Sequence, residues 1–150
     1  MGQRVTSCSF GCDGVGMQSY LYVAIVTLLA ALVYFWMATQ VARTRRRTGI
    51  LPPVMTGDPV LERTIRAHYN TLEWMPIFLP SLWLFALYWN STAAALLGLV
   101  WVIGRIVYFV GYLAEAGKRT PGFFIQAFAV AVLAVGALGR LIYLAATSLA

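Results

Sequence analysis

Four apolar runs, each close to the length of a membrane-spanning helix, constrain the fold of this chain more than any other feature. An α-helix rises 1.5 Å per residue, so about 20 apolar residues cross the hydrocarbon of a bilayer. The runs cover residues 20–40, 59–88, 91–114 and 122–147. Only 11% of the residues are charged, against about 25% in soluble domains. The chain is therefore predicted to be an all-α integral membrane protein, a bundle of four transmembrane helices.

The second run differs from the others because charged side chains crowd its first half, in the segment LERTIRAHYNTLEWMP (61–76). Its uncharged part, 74–89, is too short to span a bilayer alone. Asp58 and Pro59 stand just before the run, and Asp caps helices while Pro fits their first turn. A helix is therefore predicted to begin near Asp58 and to carry its charges into or beside the membrane.

The basic residues predict the orientation. Those in the first connection are Arg43, Arg45, Arg46 and Arg47, and those in the third are Lys118 and Arg119, whereas the second connection has no charge. The positive-inside bias then makes the first and third loops cytoplasmic and places both termini on the opposite side. The net charge of +6 follows from topology, so no nucleic-acid partner is expected. The short chain, without a retention signal at its ATSLA end, favours a bacterial inner membrane.

Residues 1–17 differ in character from the rest, since they are glycine-rich and polar and lack the apolar core of a signal peptide. They are predicted to form a flexible tail ahead of the four-helix domain, 18–150, with Met17 as an alternative start. Cys8 and Cys12 are the only cysteines. Two thiols are too few for a four-ligand metal site, and no metal is expected, whereas a pairing of the two stays open.

Two polar stripes appear when the second and third runs are drawn as helices at about 100° per residue. The first stripe contains Arg63, Arg66, Asn70 and Glu73, with His68 pointing nearly the opposite way. The second contains Arg105, Tyr108, Tyr112 and, if the helix is continued, Arg119. Ionisable groups in a membrane pair with one another or line a functional cavity. Because arginines outnumber carboxylates here, the stripes predict a site for a small anionic ligand.

Two segments carry a family resemblance: RTRRRTGILPPVMTGDPVLERTIRAHYNTLEWMPIF (43–78) and RIVYFVGYLAEAGKR (105–119). They resemble the MAPEG family, membrane-associated proteins of eicosanoid and glutathione metabolism that include microsomal glutathione transferases and leukotriene C synthase. The likeness extends over about 20–147. It implies a homotrimer of four-helix bundles, with glutathione bound between neighbouring subunits and the site open toward the cytoplasm.

The resemblance also implies roles for individual residues. Arg119 would be catalytic, as the arginine that stabilises the glutathione thiolate. The residues implied to hold glutathione are Arg45, Arg66, His68, Asn70, Glu73, Trp74, Tyr108 and Tyr112, with Arg45 and His68 reaching in from a neighbouring subunit. Arg46 at the mouth of the site and Arg105, orienting Glu73 or a tyrosine, would support them. Trp74 and His68 stand where the family often has Tyr and Gln.

The predicted function is a detoxifying, membrane-bound glutathione transferase whose thiolate attacks a hydrophobic electrophile from the bilayer, or a glutathione peroxidase acting on a lipid hydroperoxide. Two alternatives stay open: a non-enzymatic lipid-binding scaffold of the same fold, and a small transporter or channel. Tyr108, Tyr112 and Arg119 favour the enzyme, because non-enzymatic members of the family lack part of that set. The apolar stretch LGLVWVI (97–103) disfavours a polar pathway through the third helix. The identity of the hydrophobic substrate is not encoded in any motif.

Overall fold

The computed structural model describes residues 20–148, which form four long helices and one short 3-10 turn. The elements are α1 (Leu21–Thr48), α2 (Pro59–Tyr88), α3 (Ser91–Ala114), the 3-10 turn (Ala116–Arg119) and α4 (Thr120–Ser148). The predicted all-α class is confirmed for this part of the chain. The predicted tail, 1–17 with Cys8 and Cys12, lies outside the described residues.

Three of the helices in residues 20–148 are long and apolar enough to cross a membrane: α1, α3, and α4 together with the 3-10 turn. These three support an integral membrane protein. The remaining helix, α2, has 30 residues and a length of about 45 Å, but the charges in its first half lower its hydropathy. A fourth span therefore stays a prediction.

The starts of α2 and α3 follow from their capping residues. One carboxylate oxygen of Asp58 accepts hydrogen bonds from the backbone N–H groups of Val60 and Leu61, at 2.9 and 2.8 Å. These groups have no partner within the helix, so the cap stabilises its first turn. Asn90 caps α3 in the same way. The predicted start of α2 near Asp58 is confirmed, and the helix continues through two prolines to Tyr88.

The end of α1 corrects the sequence analysis, which placed Arg43–Arg47 in a connecting loop. The helix continues to Thr48, so these arginines lie on its last turns. Gly49 ends it, with a φ of 72° in the left-handed region that favours glycine, and its N–H donates to the carbonyl of Arg45 at 2.9 Å. Basic side chains are stable there because they face the negative end of the helix dipole.

Small residues bring α3 and α4 into close contact. A Cβ atom added at Gly104 would lie 2.9 Å from the backbone nitrogen of Gln126, and one added at Gly122 would collide with the backbone of Tyr108. Glycine and other small residues allow membrane helices to approach this closely. The contact places the buried side chain of Gln126 opposite α3, beside Arg105.

Candidate functional site

A cavity of about 360 Å³ opens between α2, α3, the 3-10 turn and α4. Its lining residues are Arg66, Asn70, Tyr108, Arg119, Thr120, Phe123 and Phe124. Four of the residues proposed from the sequence therefore meet at one place: Arg66, Asn70, Tyr108 and Arg119. Two of the four are guanidinium groups, so the cavity has the charge expected of an anion site.

Arg119 reaches this cavity by a different route from the helical stripe drawn on the sequence. The helix α3 ends at Ala114, Glu115 is extended with φ −158° and ψ 140°, and Arg119 closes the 3-10 turn. Its guanidinium carbon lies 4.9 Å from the centre of the Tyr112 ring, within cation–π distance. The prediction that Arg119 lies on the same helical stripe as Tyr112 was wrong. A turn, and not a continuous helix, brings Arg119 back over α3 to the cavity.

That turn depends on Gly111. A Cβ atom added at Gly111 would collide with the carbonyl group of Lys118, so the turn packs against α3 only because this position is glycine. Lys118 forms an exposed ion pair with Glu115 at 3.2 Å on the outer side of the turn. The backbone contact, and not the weak surface pair, holds Arg119 in position.

Behind the cavity lies Arg105, whose side chain is fully buried at 0% exposure. Its guanidinium group donates to the side-chain oxygens of Gln126, of Thr71 at 2.6 Å and of Asn70 at 3.3 Å. It also lies 4.8 Å from the centre of the Tyr108 ring. These acceptors are neutral, so dipoles and an aromatic face, not a carboxylate, compensate the buried charge.

The network continues from Arg105 toward the cavity rim. The side-chain amide of Asn70 accepts from Arg105 through its oxygen and donates through its nitrogen to Glu73, at 3.2 Å. The family resemblance implies that Arg105 orients Glu73 or a tyrosine. In the structure, Arg105 contacts Tyr108 directly and reaches Glu73 through Asn70. Buried bonds from one rigid donor restrict the side-chain angles of Asn70.

Gln126 was missed by the sequence analysis, although it is buried on α4 and accepts from Arg105. A neutral amide within an apolar run hardly changes the mean hydropathy, and Gln126 has no charge that would mark a polar stripe. Its signal was nevertheless present, because polar side chains in membrane helices usually bond to a neighbouring helix. Gln126 is the contribution of α4 to the support behind the cavity.

Three further candidates lie at the edge of the cavity. Glu73 is exposed, the indole of Trp74 packs edge-on against the ring of Phe123 with centroids 6.0 Å apart, and the Tyr112 ring lies 5.7 Å from that of Tyr108. They contact lining residues without forming the lining themselves. A ligand larger than the cavity of one chain would meet them at its rim.

The structure does not bring Arg45, Arg46 or His68 to this cavity. The His68 ring stacks on Tyr34 of α1, with centroids 4.4 Å apart. Arg45 donates to the carbonyl oxygens of Ile50 at 3.3 Å and Val54 at 2.7 Å, holding the α1–α2 connection, and Arg46 is exposed on the last turn of α1. None of the three is among the residues that line the cavity.

The chemistry of the cavity is that of an anion-binding site with an aromatic wall. Arginine binds carboxylates in bidentate fashion, and a positive charge stabilises a thiolate. Across residues 20–148, no group of three or more His, Cys, Asp or Glu side chains is arranged to hold a metal ion. The residues present therefore point to binding and electrostatic stabilisation of an organic anion.

Comparisons with known proteins agree with this chemistry. The sequence profile of the MAPEG family matches residues 23–139. The chain is 40% identical over 120 residues to human microsomal glutathione S-transferase 2. The aligned residues cover 79% of this chain and 82% of that relative. The chain is 41% identical over 120 residues to leukotriene C4 synthase of Cavia porcellus, with 79% and 80% covered. An uncharacterized Synechocystis protein is 46% identical over 118 residues, with 79% and 86% covered.

Proposed function

This chain belongs to the MAPEG family, and from that premise we propose that it is a membrane-bound glutathione transferase with glutathione bound in the cavity of Arg66, Asn70, Tyr108 and Arg119. The observation that carries the proposal is the convergence of two guanidinium groups on one cavity with a polar amide and a phenol. Related proteins are named as glutathione transferase and leukotriene C4 synthase, which supports glutathione as the co-substrate.

Each end of glutathione has a matching group at the site. Arg66 suits one carboxylate, because its guanidinium donates two parallel hydrogen bonds. Glu73 suits the ammonium group, and the Asn70 amide, held by Arg105, suits a peptide group. Both ends of the tripeptide carry a carboxylate but only the γ-glutamyl end carries the ammonium group, so the contact with Glu73 fixes the direction in which the tripeptide lies.

The thiol of glutathione is then activated by Arg119. A free thiol has a pKa of about 8.5, so only a few per cent is thiolate at neutral pH. The positive charge of Arg119 lowers that pKa, and the proton leaves to solvent because a guanidinium group does not accept it. The thiolate sulfur attacks an electrophilic carbon of a hydrophobic substrate, forming a C–S bond as the leaving group departs or an epoxide ring opens. Reduction of a lipid hydroperoxide by the same thiolate is the secondary activity in this proposal.

The proposal includes a homotrimer, four spans and cytoplasmic first and third loops. Neither Arg45 nor His68 lines the cavity that Arg66 lines, since His68 stacks on Tyr34 of α1 and Arg45 bonds to the α1–α2 connection. In a ring of identical copies, two faces of one subunit line two successive interfaces, so both sets meet at each interface. Glutathione would then contact Arg66 of one copy and Arg45 of the next, once Arg45 turns from the connection that it holds.

Ultraviolet titration of the purified protein with glutathione, following thiolate absorbance at neutral pH, tests the proposal. The wild type is expected to show thiolate on binding, whereas Arg119→Ala binds glutathione without forming it. Arg66→Ala and Glu73→Gln are expected to weaken binding itself. Lys118→Ala is the matched control, because it removes an exposed cation from the same turn.

The outcomes separate the alternatives. Equal loss of affinity in the Arg119, Arg66 and Glu73 variants would contradict the division of roles. Absence of glutathione binding in the wild type would overturn the transferase and favour a lipid-binding scaffold, for which the exposed rings of Phe123 and Phe124 beside the cavity are suited.

A further inference from the structure

A second and larger cavity, of about 660 Å³, lies at the opposite end of the bundle, between the end of α2 and the second half of α4. Its lining residues are Trp89, Val135, Gly136, Gly139, Arg140 and Tyr143. It shares no residue with the proposed glutathione site. This groove therefore needs an explanation of its own.

Two glycines, one turn apart on α4, give the groove its shape. A Cβ atom added at Gly136 would lie 2.6 Å from the ring of Phe85, so α4 is in close contact with α2 at that point. A Cβ atom added at Gly139 would meet nothing within 4 Å, so the groove is open there. The ring of Trp89 forms one wall and stacks on the buried ring of Phe85, with centroids 5.3 Å apart. The result is an apolar trough along α4.

Arg140 supplies a charge at the end of this trough. Its Nε donates to the carbonyl oxygen of Tyr88 at 3.2 Å, and its guanidinium carbon lies 5.5 Å from the centre of the Tyr143 ring. This carbonyl lies in the last turn of α2, where carbonyl groups have no partner within their own helix. This bond restrains the guanidinium group through Nε, and no hydrogen bond within residues 20–148 occupies its two terminal amino groups.

No acidic residue of the described chain neutralises that charge at this end. The halves of the helices that meet there, 20–34, 74–104 and 134–148, contain one charged residue, Arg140. Copies of a membrane protein related by an axis along the membrane normal lie at the same depth. A neighbouring copy would therefore present the same helix halves, which contain no carboxylate.

We propose that this groove binds a glycerophospholipid, with the phosphate on the terminal amino groups of Arg140 and one acyl chain in the trough along Gly136 and Gly139. Arginine binds phosphate in bidentate fashion, and the fixed guanidinium loses little freedom when it does so. Trp89 and Tyr143 are residues typical of the headgroup level of a membrane. Arg140 matches the phosphate of such a lipid, the aromatic walls match its glycerol region, and the apolar trough matches an acyl chain.

The test uses delipidated, detergent-solubilised protein with added dioleoylphosphatidylglycerol, and counts the bound lipid by native mass spectrometry. The wild type is expected to bind one lipid per subunit. Arg140→Ala is expected to weaken lipid binding about tenfold or more, because a charge-assisted bidentate contact is lost. Gly139→Leu is expected to abolish binding by filling the trough, and its side chain has the room to do so without disturbing the fold. Lys118→Ala, which removes a cation at the other end, is expected to bind like the wild type.

Three results would overturn the proposal. Wild-type lipid counts in both groove variants would show that the groove is not the site. A change of oligomeric state in Gly139→Leu, with no lipid on the wild type, would show that another copy covers the groove. If inorganic phosphate raised the melting temperature as much as the lipid does, and Gly139→Leu did not change that effect, the groove would be a site for a free anion. Glutathione binding, measured on the same samples, is expected to be unchanged, so the two proposals fail separately.

Discussion

The hydrogen bond between Gln126 and Arg105 makes the strongest prediction about stability. Arg105 is buried, and Gln126 is its only side-chain acceptor on α4, whereas Asn70 and Thr71 come from α2. Gln126→Leu keeps a similar side-chain volume and removes the acceptor. The change therefore isolates the hydrogen bond from the packing of the α3–α4 interface.

The expected loss is about 2 kcal/mol in the free energy of unfolding. Hydrogen bonds to a charged group contribute about 1.5–3 kcal/mol, whereas neutral bonds between membrane helices average about 0.6 kcal/mol. The guanidinium is charged and fully buried. The larger value applies because no water replaces the lost acceptor there, and a loss of about 2 kcal/mol lowers the ratio of folded to unfolded protein about 30-fold.

Reversible unfolding in mixed micelles, titrated with dodecyl sulfate, measures this loss in a double-mutant cycle with Arg105→Met. Met keeps a long side chain without the charge. In that background Gln126→Leu is expected to be neutral or stabilising, so the coupling energy is at least about 2 kcal/mol. An equal cost of Gln126→Leu with and without Arg105 would refute the argument, because the effect would then come from packing alone.

Three further predictions concern α2, the α3–α4 contact and the thiol. Asp58→Ala removes the cap of α2 and is expected to cost about 1 kcal/mol in the same titration, whereas Asp58→Asn retains most of the stability. Gly122→Leu is expected to yield no folded protein in size-exclusion chromatography, because its side chain would collide with α3, whereas Gly117→Ala, with nothing within 4 Å of its Cβ, is expected to remain folded. The pH at which bound glutathione is half thiolate is expected below about 8.5 in the wild type and near 8.5 in Arg119→Ala; equal midpoints would contradict the role of Arg119.

Much of the fold could be predicted because it depends on local signals. The predicted range of α3, 91–114, agrees with the structure, since an apolar run and an Asn cap define it. The end of α1 could not be predicted in this way. Hydropathy reports which residues suit a bilayer, and Arg43–Arg47 do not, yet they continue the helix until Gly49 ends it.

Site residues could be predicted to lie together only where they are on the same helix. The spacing of Arg66 and Asn70 places both on one face of α2, and the structure brings both to the cavity. Arg119 could not be placed from helical periodicity, because a turn packed on Gly111 decides its position. The contact of Gln126 with Arg105 could not be predicted without knowing that α4 packs on α3. Contacts between distant segments are the part that a single sequence does not encode locally.

The buried network of Arg105 also bears on how the chain enters a membrane. An arginine near the middle of a helix costs about 2.5–3.5 kcal/mol at insertion, whereas each Leu, Ile, Val or Phe contributes about 0.3–0.6 kcal/mol in favour. The helix α3 carries enough of them to insert with its arginine unpaired. The helix α2 has no comparable apolar window. We therefore expect α2 to be incorporated last, drawn from the surface by the unpaired donors of Arg105 that Asn70 and Thr71 then satisfy, so that biogenesis ends as the cavity lined by Arg66 and Arg119 is assembled.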